Sequence, residues 1–146
     1  MTATRPTVLT IGYEGRDLSE VVRLVRDSGA RTLLDVRWRP QSRKRGLSKT
    51  PLGAALGQAG VAYTHDRRLG TPPDILAEAH RPGGRYDWVA YRAFLEQQVD
   101  ALEGAAALAG DGPVVLMCYE AHPLECHRRL VAARVASCWD SGVVHL

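Results

Sequence analysis

The stretch CYEAHPLECHRRL, residues 118–130, holds two cysteines, two histidines, two glutamates and two arginines within thirteen residues. It follows the apolar run Val114-Val115-Leu116-Met117, so it begins where a buried strand would end. Several kinds of chemistry are open to it. Cys118 could act as a nucleophile if His127 or nearby arginines lower its pKa. Glu120 and His127 are of the types that move protons. Arg128 and the free N–H groups of a helix starting here suit an anion.

Each reading has a plainer competitor. Leu124 occupies the place of the arginine in a Cys-x5-Arg phosphate loop, and a buried cysteine is commonly an inert small hydrophobe. His127 could be a core histidine with one hydrogen bond fixing its tautomer. Cys118, His122, Cys126 and His127 are zinc-ligand types, yet the spacing Cys-x3-His-x3-Cys-His fits neither a finger nor a ribbon. No metal and no cofactor is therefore expected.

A second concentration lies between residues 37 and 49, where Arg37, Arg39, Arg43, Lys44, Arg45 and Lys49 occur without one acidic residue. Net charge is only +3, so it is this local excess that points to an anionic partner. Trp38, Tyr13, Tyr119 and Trp88 could stack on bases. Asp35, last but one in an otherwise apolar run, is costly there unless paired. It reads as a partner of backbone N–H groups, as the orienter of Arg37, or as an acid–base group. Glu14 could serve the site or be a solvated turn residue. Gly12-Tyr13-Glu14-Gly15 is a tight turn that matches neither a dinucleotide fingerprint nor a Walker loop.

These residues must be positioned by the elements between them. Apolar runs at 8–11, 32–36, 61–63, 114–117 and 143–146 read as buried strands. Helices are expected at about 18–28, opened by the Asp17…Glu20 capping box, and at 51–58, 88–108 and 123–138. In the last of these His122 would be the cap and Pro123 the first helical residue. His127 would then share a face with Leu124, Val131 and Val135, its ring toward the sheet. Residues 65–86 read as a long irregular excursion.

Alternation of apolar strands with helices is the pattern of a parallel sheet covered on both faces. The expected fold is a single α/β domain over residues 1–146. It is a three-layer sandwich with a mostly parallel sheet of about five strands, of the Rossmann or flavodoxin type. Ligands of such sheets bind outside the carboxyl ends of the strands. Those ends supply Gly12, Tyr13 and Glu14, then Asp35, Arg37 and Arg39, then His65 and Asp66, then Cys118 and Glu120. A strand order 3-2-1-4-5 would let Glu14, Arg37, Cys118 and Glu120 converge.

Hydrophobic residues at 45% and charged ones at 24% exclude a disordered chain. No run approaches a membrane span, the start MTATRPTVLTIGY has no signal-peptide pattern, and three cysteines form no paired framework. A cytoplasmic protein is expected. The chain stops within its last strand, an edge at which a second copy could pair into a homodimer.

The segments TIGYEGRDLSEVVRLV, LLDVRWRPQSR, AGVAYTHDRRLG and VLMCYEAHPLECHRRLVA resemble, in order and over nearly the whole chain, the domain-of-unknown-function family 488. The resemblance implies a compact bacterial or archaeal α/β domain. It makes Gly12, Asp35, Arg37, Pro40, Ser42, Arg43, Cys118, Glu120, Cys126, His127 and Arg128 signature positions. The segment 71–85 matches less clearly.

Taken together, the expectation is a protein that binds, and could process, a phosphate-bearing ligand such as a nucleotide or nucleic acid. Glu120, His127, Asp35 and Cys118 are the catalytic candidates. Gly12, Tyr13, Glu14, Arg37, Arg39, Arg43, Cys126 and Arg128 are the ligand-binding ones. Two rivals stand beside it: a non-catalytic nucleic-acid-binding module, and a metal- or thiol-dependent protein using Cys118 and Cys126.

Overall fold

The computed structural model describes residues 7–146; the first part of the start read above for a signal-peptide pattern lies outside the described residues. Five strands, β1 (Val8–Gly12), β2 (Thr32–Asp35), β3 (Ala62–His65), β4 (Val114–Cys118) and β5 (Val143–His145), form one sheet in the order β3-β2-β4-β1-β5. All four pairings are parallel. The order differs from 3-2-1-4-5: β4 lies between β1 and β2, and β5 pairs with β1. β1, β2 and β4 are buried at every position, which suits the three inner places of the sheet. β5 and β3 are the partly exposed edges.

Helices α1 (Leu18–Asp27) and α2 (Lys49–Gln58) cover one face, packing Val21, Val25, Leu52 and Leu56 on Leu9, Ile11, Leu33, Val115 and Met117. The other face is covered by α3 (Pro73–His80), α4 (Trp88–Glu96), α5 (Val99–Asp111) and α6 (Arg128–Ser137), with Ile75, Tyr91, Leu102, Ala105, Val131 and Val135 on Leu34, Leu116 and Cys118. The result is the three-layer α/β sandwich. Among the described residues no helix is long and apolar enough to cross a membrane.

Local differences from the sequence expectation have physical causes. Asp17 caps α1 by accepting from the Glu20 N–H at 2.9 Å, but Glu20 pairs with Arg16 instead of reaching back. α2 starts at Lys49, two residues earlier than Pro51, with Ser48 as its cap. The helix expected over 88–108 is two helices. Gln98 leaves helical geometry (ψ 51°), and Val89 and Val99, expected on its apolar face, are exposed. The excursion 65–86 contains a short 3-10 turn, Arg67–Leu69, and then α3, with Pro72 as cap and Pro73 at its start. The helix expected over 123–138 is also interrupted. Pro123–Glu125 is a 3-10 turn capped by His122, Cys126 is extended, and α6 begins at Arg128. Leu124 consequently lies exposed rather than in line with Val131.

Gly12, at the end of β1, has a packing role. A Cβ there would collide with the Glu120 carbonyl, whereas one on Gly57 in α2 would meet nothing. Gly12→Ala should therefore cost about 1–3 kcal/mol through overpacking. Gly57→Ala should be neutral or stabilise by up to about 1 kcal/mol. Urea denaturation of the two variants checks the contrast.

Candidate functional site

The carboxyl ends of β2, β4 and β1 meet at a cavity of about 610 Å³. A volume of that size suits a small ligand. β4 and the loop after it contribute Cys118, Tyr119 and Glu120; β1 contributes Tyr13; the segment after β2 contributes Arg37, Trp38 and Arg39. His127, the residue before α6, completes the floor. α3 forms the opposite wall through Leu76, Ala77 and His80, with Thr71 and Tyr86 at its two sides.

The floor is held by hydrogen bonds that the strand ends offer. The His127 Nε2–H donates to the Val36 carbonyl, just past β2, at 2.7 Å. Nδ1 therefore turns to the sulfurs of Cys118 and Cys126, 3.7 and 3.9 Å away. The Tyr91 ring stands edge-on to the imidazole at 5.3 Å, and Tyr91 itself is anchored through its hydroxyl to the Leu69 carbonyl. All three polar members are buried. The break between the 3-10 turn and α6 matters here, because the extended Cys126 turns its thiol back against β4.

Electrostatics follow from this packing. The Cys118 thiol is pushed well above its usual value because it donates to Cys126 and is buried. Burial alone would raise Cys126 too, but the hydrogen bond from Cys118 and the neighbouring imidazolium outweigh that, so its thiol is drawn well down. His127 responds in kind: burial opposes its charge, and Cys126 more than restores it. Glu120 is pushed up to about 7, first by burial and then by the negative Cys126. Its Oε2 is buried without a hydrogen-bond partner.

Asp35 and Arg37 build the wall rather than the reaction surface. Asp35 is wholly buried and accepts from the Arg37 backbone N–H, from Arg37 Nε and Nη2 at 2.9 and 2.7 Å, and from the Tyr63 hydroxyl at 2.6 Å. Arg37 donates further to the Leu47 carbonyl and the Tyr13 hydroxyl. Asp35 is thus the orienter of Arg37 and does not line the cavity.

Of the other residues singled out by sequence, Tyr13, Arg39, Cys118, Glu120 and His127 line the cavity; Gly12, Glu14, Arg43, Cys126 and Arg128 do not. Glu14 accepts from the Ala121 N–H, holding the loop after β4. Arg128 is fully buried and donates to the Glu120 and Ala121 carbonyls, so it clamps the same loop from below. Arg43 is exposed and does not line the cavity, and Lys44 is engaged with the Tyr13 and Arg16 carbonyls. Sequence reasoning missed the α3 wall, Thr71 and Tyr86. Pro73 followed by Asp74 was the available signal, since proline at the first turn and an acid beside it mark a helix start.

These features define a parallel α/β domain with a ligand-sized cavity at the carboxyl edge of its sheet. Residues 17–135 match the family described as Domain of unknown function DUF488, and the chain belongs to it. No curated protein and no solved structure matches the chain.

Removing Asp35 leaves the Arg37 guanidinium buried and unpaired. Asp35→Ala should cost about 3–5 kcal/mol. Tyr63→Phe, which removes one hydrogen bond to a charged acceptor, should cost about 1.5 kcal/mol. Denaturant midpoints measured side by side check the order.

Proposed function

We propose that the cavity binds a planar, phosphate-bearing small ligand of nucleotide type and presents it to Glu120, His127 and Cys118. The observation that carries this reading is the lining itself. Tyr13, Trp38, Tyr86 and Tyr119 supply aromatic surface around one cavity, and the exposed Arg39 stands on its rim. Aromatic faces stack on bases, and an uncommitted guanidinium suits phosphate. Arg37 borders the same space, but its donors are turned to Asp35, Tyr13 and Leu47. Its role is to hold the wall on which Arg39 and Trp38 sit.

A small ligand is favoured over an extended nucleic acid because the basic segment 37–49 is not a continuous contact surface. Two of its cations, Arg37 and Lys44, are spent on internal partners. Glu120 and His127 beside the ligand are the proton-transfer groups of this reading. The free cysteines suit a reducing compartment such as the cytoplasm.

Calorimetric titration with nucleoside mono-, di- and triphosphates and with short oligonucleotides tests the reading. Wild type should bind one nucleotide class at one site. Arg39→Ala should weaken that binding roughly tenfold to a hundredfold, as loss of a charge-assisted hydrogen bond does. Because Arg39 is exposed, unfolding stability should change by less than about 0.5 kcal/mol. Steeply salt-dependent binding of oligonucleotides alone, indifferent to Arg39→Ala, would instead establish a nucleic-acid-binding module.

A further inference from the structure

We propose that Cys118, Cys126 and His127 form a zinc site whose fourth coordination position opens into the cavity. The three ligand atoms, two sulfurs and the imidazole Nδ1, all lie within 4.8 Å of one another. A tetrahedral zinc centre has Zn–S bonds of about 2.3 Å and a Zn–N bond of about 2.0 Å, which puts sulfur and nitrogen about 3.5 Å apart and the sulfurs about 3.8 Å apart. The observed Nδ1–sulfur distances of 3.7 and 3.9 Å match that triangle with a few tenths of an ångström to spare.

The surroundings favour a metal over a chance cluster. A metal-bound histidine usually donates its other ring N–H to a carbonyl or carboxylate, which fixes the tautomer. The His127 Nε2–H does so to Val36, leaving Nδ1 as the atom that faces the sulfurs. Both sulfurs are buried beside the imidazole, and a metal would take them as thiolates. Two thiolates and an imidazole in a tetrahedral arrangement select zinc among common metals.

The fourth position is set by which members reach the cavity. Cys118 and His127 line it and Cys126 lies behind them, so a centre held by all three has its free side toward the cavity. Glu120 borders the same space, outside the ligand triangle, with its buried Oε2 lacking a partner. Three protein ligands with one open position is the arrangement of catalytic rather than structural zinc. This site shares Cys118 and His127 with the cavity of the nucleotide reading, but rests on their distances to Cys126 and not on the aromatic residues and Arg39 that carry that reading; with zinc bound, proton transfer falls to Glu120.

The test is metal content. Protein purified without chelator, and apoprotein reconstituted with Zn(II) or Co(II), should hold one equivalent by mass spectrometry of the metal. X-ray absorption should show two sulfur neighbours at about 2.3 Å and nitrogen or oxygen neighbours at about 2.0 Å. Cys118→Ser and Cys126→Ser should each lower affinity by more than about 100-fold, beyond what loss of an outer partner costs. Cys138→Ser, at an exposed cysteine away from the site, should keep the full equivalent. If the serine variants fail to fold, the sulfur-to-cobalt charge-transfer band of wild type still decides. A folded wild type that takes up neither metal, or a Cys118→Ser/Cys126→Ser double variant that still binds one equivalent, overturns the site. Nucleotide binding by metal-free protein in the first case would leave the ligand reading standing.

Discussion

The carboxylate of Asp35 has no exposure to solvent, and a charge in that position is tolerable only if every oxygen is met by a donor. Arg37 meets it from the next segment and Tyr63 from the neighbouring strand. In bonding Asp35, Arg37 is also brought to Tyr13 after β1 and to the Leu47 carbonyl before α2. One buried ion pair therefore ties β2 to β3, to the segment after β1 and to the segment before α2, and the backbone between Asp35 and Trp38 is held as a result. The Val36 carbonyl within that span is the acceptor that orients His127. The geometry of the cavity floor thus depends on an ion pair of which only the Arg37 side reaches the cavity lining.

The fold class was readable because apolar strand runs and helical spacing are local patterns, and the apolar strands of a parallel sheet carry them strongly. The order of the strands was not readable in the same way, since it is decided by which run tolerates burial on both faces. In hindsight the five consecutive buried residues of β4 against the short, half-exposed β5 contain that information. Helix boundaries were misplaced where tertiary contacts outweighed local pattern. Two helices replace one at Gln98, and α6 starts only after Cys126 has turned toward β4.

That second displacement changes how the cysteine–histidine stretch reads. A zinc template compares spacings along a chain that winds regularly, and Cys-x3-His-x3-Cys-His fits none. The actual path has a 3-10 turn, an extended residue and then a helix start. His122 is drawn off to cap the turn, while Cys126 and His127, adjacent in sequence, point at the same place as Cys118. Spacing along the sequence does not show this proximity, for a geometric reason. Two of the three groups come from an irregular connection, and the third comes from the central strand against which that connection folds.

The arginines make the complementary point about charge. Counting cations along residues 37–49 and adding Arg128 points to the carboxyl edge of the sheet, where the cavity lies, but not to the groups left free there. Arg128 is as central to the signature as any residue, yet it is wholly buried on backbone carbonyls, and Arg37 is committed to Asp35. A guanidinium has a fixed fork of donors, so what it already bonds decides what it can still bind. By that criterion the buried arginines shape the floor and rim, and the proposed anion contact falls to Arg39, whose side chain carries no internal ion pair among the described residues. Recognition and architecture are therefore divided between residues that look equivalent in sequence, and the division follows from hydrogen bonding rather than from charge.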